Sequence, residues 1–108
     1  MRLNDYQQAA LETAIYPAEQ VIIYPSLGLT GEAGEVADKV KKVLRDNGGE
    51  FTPERRIAIG AELGDVLWYV ATLARDLGFT LEDIAAANIA KLESRKRRGV
   101  IHGEGDNR

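Results

Sequence analysis

The sequence predicts an all-α protein, a four-helix bundle that forms a single domain over residues 1–108. Two observations support this prediction. Four segments each begin at a residue that commonly caps helices and end near proline or glycine, with apolar residues at helical spacing between these signals. Short connections join the segments, which is the arrangement of a helical bundle.

The first predicted helix opens the chain. Asn4 can cap it, with Gln7 three residues on as its capping-box partner, and Pro17 closes it. The following run, residues 19–24 (EQVIIY), is short, apolar and β-branched, but it has no partner strand in the sequence. We therefore expect an extended or one-turn connector that packs on the bundle.

The second and third predicted helices are long. Ser26 can cap the second helix, which runs to Asn47 and stops at the pair Gly48-Gly49. The pair Thr52-Pro53 supplies a cap followed by proline at the first helical position, so the third helix starts there and ends near Gly78.

The fourth predicted helix is capped by Thr80, supported by Asp83, and runs to about Arg97 before Gly99. Residues 99–108 hold three glycines and no apolar period. We expect them to form an irregular C-terminal tail or a loop that folds back.

Composition excludes several classes of protein. The chain has no cysteine, so disulfides, zinc fingers, thiol nucleophiles and iron–sulfur clusters are excluded. A net charge of −3 argues against general nucleic-acid binding. No apolar run approaches the roughly 20 residues that span a bilayer, so no membrane contact is predicted. We expect a cytoplasmic location.

Two pairs of carboxylates are the most informative feature of the chain. Glu32 and Glu35 in the second helix, and Glu62 and Asp65 in the third, have i, i+3 spacing, which puts each pair on one helix face. Like charges this close repel each other unless a cation lies between them. Because Mg²⁺ and Mn²⁺ prefer oxygen ligands, the four acids predict a divalent metal site.

Helical projection places both acid pairs beside the predicted buried seam. At about 100° per residue, each long helix shows one apolar stripe, and the acids flank it instead of facing away from it. The positions predicted to be buried are Leu29, Val36, Val40 and Val43 in the second helix and Ile59, Val66, Val70, Leu73 and Leu77 in the third. Acids placed only for solubility would more often point outward.

Basic residues crowd the last predicted helix around Lys91 and Arg95. A solvated helix end that favours the macrodipole explains such a run, and so does a strip that binds polyphosphate beside an acidic metal site. Lys39 lies between the two acids of its helix in projection, where a phosphate contact and an i, i+4 salt bridge to Glu35 are equally open. His102, the single histidine, is expected to be a surface residue of the tail.

The glycines and aromatic residues near the acids predict packing and ligand contacts. Gly60 and Gly64 share a helix face, which suggests close contact with another helix, including one from a second subunit. Trp68 projects away from the acids and is read as packing or a subunit contact. Tyr69 lies on the acid side, where core packing and ligand contact are both open.

These motifs resemble those of the MazG-like superfamily of all-α nucleoside triphosphate pyrophosphohydrolases. Its E-x-x-E, spacer, E-x-x-D signature is matched in order by the four acids, and the strings 27–36 (LGLTGEAGEV) and 61–69 (AELGDVLWY) resemble its helices. Asn88, Lys91 and Arg95 resemble its N-x-x-K-x-x-x-R element, and residues 98–108 resemble the tail of a small-protein branch. The resemblance covers residue 27 to the end of the sequence.

The resemblance implies Mg²⁺-dependent hydrolysis of a nucleoside triphosphate to the monophosphate and pyrophosphate, in a dimer or dimer of dimers. The four acids would hold the metal, with one glutamate able to act as base on the attacking water. Asn88, Lys91, Arg95 and Lys39 would contact phosphate. Relatives that act on dUTP or phosphoribosyl-ATP stay open, as does a non-catalytic helical interaction module. A di-iron site is rejected because it needs Glu-x-x-His pairs.

Overall fold

The structure is a computed structural model that describes residues 1–108, and the chain is all-helical, as predicted. The α-helices are α1 (Leu3–Leu11), α2 (Ile23–Asp46), α3 (Pro53–Asp76) and α4 (Leu81–Arg97), with one 3₁₀ turn at Ala18–Gln20. The chain contains no strand, so the β-branched run becomes the 3₁₀ turn and the start of α2, close to the predicted one-turn connector.

The predicted caps of the last two helices are confirmed. The Thr52 side chain accepts a hydrogen bond from the backbone N–H of Arg55, and Pro53 is the first residue of α3. The Thr80 side chain accepts from the backbone N–H of Asp83 in the same way. These short-range signals fix where α3 and α4 begin.

The predicted start of α1 is wrong. Arg2 is its N-cap residue, and the backbone N–H of Arg2 donates to Asp5, so Asn4 lies inside the helix. The Asn4 side chain instead accepts from the backbone N–H of Glu82 and donates to its carboxylate, which links α1 to the first turn of α4. The helix ends at Leu11, well before Pro17.

The predicted start of α2 is also wrong, by four residues, because the N-cap is Ile22 and not Ser26. The helix begins at Ile23, and the Ser26 hydroxyl donates to the Ile22 carbonyl from inside the first turn. Ile22 has φ of 73°, which is rare for a β-branched residue and strains the backbone. Its N–H donates to the Asp76 carboxylate at 3.0 Å, which holds the chain in this conformation.

A buried glutamine joins the first helix to the turn between the last two. The Gln7 side chain donates to the carbonyls of Ala71 and Phe79 and accepts from the N–H of Leu81, at 3.0–3.2 Å. Ala10, Ala71 and Leu81 form the small apolar core around it. Gln7 therefore fixes the angle at which α4 leaves the body, and it is not the capping-box partner predicted from sequence.

The antiparallel pair α2–α3 forms the body of the protein. Most positions of the predicted seam are half-buried, whereas Val43 is fully buried and Leu77 is half-exposed. Gly60 and Gly64 meet no other part of the chain, since a methyl group built on either would contact nothing. The predicted close helix contact at these glycines is therefore not made within one chain.

The middle of α4 stands away from this body. All residues from 86 to 93 are exposed, although α4 is anchored at its start by Leu81 and Glu82. The radius of gyration is 16.8 Å, against about 13 Å for a compact chain of this length. The middle of α4, residues 86–93, is thus left without cover by the rest of the chain.

The helix α3 is the one segment with enough length and mean hydropathy to cross a membrane. It carries Glu62 and Asp65 near its middle, and an ionised group at that depth of a bilayer is costly. Its apolar side chains are better explained as helix-packing surfaces.

Candidate metal centre

Acidic side chains from α2 and α3 converge at one place on the body. Carboxylate oxygens of Glu32, Glu62 and Asp65 all lie within 4.8 Å of one another. Glu32 and Glu62 are half-buried, while Asp65 is exposed at the edge. The antiparallel packing of α2 and α3 brings these acids together, because both pairs flank the seam between the two helices.

The electrostatics of the cluster are those of like charges held together. The pKa of Glu32 is raised, first because its side chain shares a hydrogen bond with Glu62, then by burial and by the charges of Asp65, Glu62 and Glu35. Two carboxyl groups can share a hydrogen bond only when one carries a proton, so Glu32 holds its proton more tightly than usual. A cation bound between these carboxylates would relieve the same repulsion.

One lysine already compensates part of this charge. Lys39 Nζ lies 3.5 Å from Glu62 Oε1, which makes an ion pair across the α2–α3 seam. The i, i+4 salt bridge from Lys39 to Glu35 is not formed, and Glu62 on α3 is the partner instead. Lys39 therefore lies at the carboxylate cluster itself.

The fourth predicted acid, Glu35, is not part of the three-carboxylate cluster. It lies one turn along α2 from Glu32 and is exposed. Asp38, the next acid along this helix, is held by Lys41 and Lys42 at 2.8 Å each, and these hydrogen bonds lower its pKa to about 2. Asp38 is thus paired with lysines outside the carboxylate cluster, whereas Glu35 forms no ion pair.

An open cavity of about 350 Å³ adjoins the acids. It is lined by Thr13 from the segment after α1, by Glu32 and Asp65, and by the rings of Trp68 and Tyr69. The prediction that Trp68 projects away from the acids is therefore wrong. Trp68 Nε1 donates to the Ala10 carbonyl and the Thr13 hydroxyl, which turns the indole toward the end of α1.

Stacked aromatic rings continue from this cavity along the body. Tyr69 packs edge-on against Trp68, and Tyr24 lies between Tyr69 and Tyr16. Burial, followed by the neighbouring Tyr24 hydroxyl, raises the pKa of Tyr69. A methyl group built on Gly28 would overlap the Tyr69 ring, so the absence of a side chain there allows the ring its position.

The basic residues predicted on α4 do not reach the acids within the chain. Asn88 and Lys91 are exposed and form no side-chain hydrogen bond or ion pair. Arg95 is buried, but its guanidinium contacts the tail of the chain, where it donates to the Asp106 carbonyl. His102 is exposed in this tail, as predicted.

The donor set fits a hard divalent cation. Three carboxylates supply only oxygen ligands, and neither cysteine nor histidine is near them. Within the chain, the nearby Lys39 ammonium offsets part of the repulsion that a cation would relieve.

The chain is thus an all-α protein in which carboxylates from two antiparallel helices meet beside an open cavity. Residues 26–100 match the family described as the MazG nucleotide pyrophosphohydrolase domain. The chain belongs to this family, whose members are generally hydrolases that depend on a divalent metal.

A phage protein aligns with the chain over its full length. The chain is 52% identical to the Gene 37 protein of Mycobacterium phage L5, over an alignment that covers all of both chains. No solved structure matches the chain.

Proposed function

We propose that the protein is a Mg²⁺-dependent nucleoside triphosphate pyrophosphohydrolase that produces a nucleoside monophosphate and pyrophosphate. The observation that carries the proposal is the convergence of three carboxylates from α2 and α3 beside a cavity with aromatic walls. The acids suit a cation that carries phosphate, and the rings of Trp68 and Tyr69 suit a flat, partly apolar nucleoside. Nucleotide-pool housekeeping is the role that such a reaction serves.

Glu32, Glu62 and Asp65 would hold the metal, with Mn²⁺ as a possible substitute. The cation would supply charge neutralisation on the phosphate oxygens and a more acidic water. Glu35 lies beside this cluster but outside it, and we assign it to orient the attacking water and accept its proton. Water attacks the α-phosphorus, the bond from phosphorus to the bridging oxygen breaks, and pyrophosphate leaves.

Lys39 would contact the phosphates from the body of the protein. Its ammonium is within 3.5 Å of the Glu62 carboxylate, so a phosphate held by the metal would lie within reach of it. As a compact point charge on a flexible stem, it can move from the carboxylate to the substrate.

A second copy of the chain would complete the site. The solvent-accessible surface is 7638 Å², whereas a compact monomer of this mass exposes about 5,900 Å². The difference of about 1,700 Å² is twice the roughly 800 Å² that each partner loses in a standard interface. Ile89 and Leu92 on α4 and Leu63 and Leu67 on α3 supply exposed apolar surface for a dimer or dimer of dimers.

In this assembly a neighbouring subunit would bury the exposed part of α4. Asn88, Lys91 and Arg95 would then contact phosphate in that subunit's site. The three residues have i, i+3, i+7 spacing, which puts them on one helix face. Because this face does not reach the acids of its own chain, we assign it to the site of a neighbouring subunit. Sedimentation at several concentrations tests the point, and a monomer at the highest concentration would refute it.

The decisive experiment is incubation with a panel of ribo- and deoxynucleoside triphosphates, with Mg²⁺ or with a chelator, followed by product analysis. Monophosphate plus pyrophosphate supports the proposal. Diphosphate plus orthophosphate contradicts attack at the α-phosphorus. A folded protein with Mg²⁺ and no turnover on any nucleotide, dUTP and phosphoribosyl-ATP included, would favour the non-catalytic interaction module.

The variant Glu62→Gln tests the acid cluster directly. It replaces a metal ligand by a neutral amide of the same shape, so we expect turnover to fall at least a hundredfold while the helical circular dichroism is unchanged. Glu54→Gln, on the exposed first turn of the same helix, is the matched control and should keep full activity. Activity in the Glu62 variant equal to that of the control would remove Glu62 from the site.

A further inference from the structure

The ten residues after Arg98, the C-cap of α4, fold into a closed loop around one arginine. The Arg108 guanidinium uses all three of its nitrogens, donating to the carbonyls of Val100 at 3.0 Å, Ile101 at 2.7 Å and Gly105 at 2.8 Å. The Val100 N–H also donates to the Arg95 carbonyl, which turns the chain back at the helix end. We call residues 99–108, closed in this way, the clasp.

The backbone of the clasp depends on glycine at three turns. Gly99, Gly103 and Gly105 have φ of 69°, 152° and 88°, a region that side chains rarely adopt. A methyl group built on Gly103 would lie 3.1 Å from the Arg108 side chain, so the loop wraps tightly around that arginine. These features distinguish the clasp from a frayed chain end.

The clasp holds a second arginine, Arg95. Arg95 Nη2 donates to the Asp106 carbonyl at 2.6 Å, and the residue is only 8% exposed although α4 is fully exposed from residue 86 to residue 93. No carboxylate of the chain forms an ion pair with it. A buried cation without an anionic partner is unfavourable, so this site favours an anion brought from outside the chain.

We propose that Arg108 is a positioning residue: by closing the clasp it fixes the Arg95 guanidinium in the orientation that binds a phosphate group of the substrate. The inference rests on the proposed function for the identity of that phosphate. Lys91 lies on the same helix face but has no such support and stays free to move. Fixing a long side chain before binding removes the cost of ordering it when the ligand arrives.

Two variants open the clasp by different means. Arg108→Ala removes the group that gathers the three carbonyls, and Gly105→Ala puts a side chain where φ is 88°. Arg97→Ala is the matched control, because Arg97 is an exposed arginine of the same helix end with no side-chain partner in the chain. Circular dichroism at equal concentration verifies that the helices are kept in all three.

Steady-state kinetics test the role in the reaction. We expect KM for the triphosphate to rise about tenfold in both clasp variants with kcat changed less than about twofold, since Arg95 is displaced and the acids are untouched. Arg108→Lys, which cannot reach three carbonyls at once, should recover little of the loss. A KM equal to that of the Arg97 variant would overturn the inference, as would an effect confined to kcat.

Binding of inorganic pyrophosphate with Mg²⁺, measured by calorimetry, separates this inference from the proposed function. Weaker pyrophosphate binding in both clasp variants, and not in the control, supports the positioning role even if the wild-type protein hydrolyses no nucleotide. Equal binding in all variants refutes it even if the wild-type protein is active. The NMR signal of the Arg95 side-chain N–H should sharpen only while the clasp is closed.

Discussion

Replacing Gln7 by methionine tests the link that sets the direction of α4. Methionine has nearly the same length and shape as glutamine but neither donates nor accepts these hydrogen bonds. The variant therefore removes three contacts of Gln7, to Ala71, Phe79 and Leu81, without leaving a cavity. The matched control is Gln8→Met, since Gln8 is the exposed residue next along α1.

The expected loss can be worked out from these contacts. The N–H of Leu81, a residue 4% exposed, loses its partner, which costs about 1–3 kcal/mol for a buried donor. The two carbonyl contacts add roughly 0.5–1.5 kcal/mol each, and the more apolar methionine offsets about 1 kcal/mol. We therefore expect Gln7→Met to lower the free energy of unfolding by about 3 kcal/mol.

Urea and thermal unfolding followed by circular dichroism measure this loss. With an unfolding entropy of about 2.1 cal/mol/K per residue over 108 residues, about 3 kcal/mol corresponds to a fall in Tm of about 13 °C. All samples must share one protein concentration, because association would change the apparent stability. A difference between the Gln7 and Gln8 variants of less than about 0.5 kcal/mol would refute the role given to Gln7.

Three further predictions follow from contacts of the body. Burial raises the pKa of Asp76, but its hydrogen bonds outweigh this effect and lower the pKa in the folded protein. Asp76 should therefore stabilise the fold above about pH 4, and this stability should be lost as the pH falls through the lowered pKa. In Asp76→Asn the free energy of unfolding should depend less on pH in this acid range. Gly28→Ala should lower the free energy of unfolding by about 1–3 kcal/mol and raise KM, because the added methyl group displaces the Tyr69 ring. Gly31→Ala, whose methyl group meets no neighbour, should raise the free energy of unfolding by about 0.5–1 kcal/mol. Equal Tm values for the two variants would contradict this contrast. Lys39→Gln should bind Mg²⁺ about threefold more tightly in calorimetry, because the Glu62 carboxylate loses its lysine partner, while KM for the nucleotide rises. Weaker Mg²⁺ binding or an unchanged KM would contradict this prediction.

The features that the sequence predicted well depend on neighbours along the chain. Thr52 and Thr80 were identified as caps because a cap bonds a backbone N–H three residues on, whatever surrounds it. The meeting of Glu32 with Glu62 and Asp65 was also predictable, because both helices show the acids beside an apolar stripe.

The features that the sequence could not predict depend on contacts between distant segments. Gln7 bonds residues more than 60 positions away, and nothing in its local pattern separates this role from a capping box. Trp68 was placed away from the acids by the projection of one helix, but the end of α1 closes that side into the cavity. Residues 99–108 fold back, which is one of the two predicted outcomes, but nothing local in the sequence identifies Arg108 as the side chain that closes the loop.

The uncovered middle of α4 affects how substitutions in it should be read. Residues 86–93 contribute little to the packing of a single chain, so changes at Ile89 or Leu92 would barely alter the stability of an isolated subunit. On the proposed assembly, the same changes would act through mass action, lowering the fraction of paired subunits as the protein is diluted. Tolerance of mutation along this helix would then depend on cellular abundance, and a scarce protein would tolerate fewer changes than an abundant one.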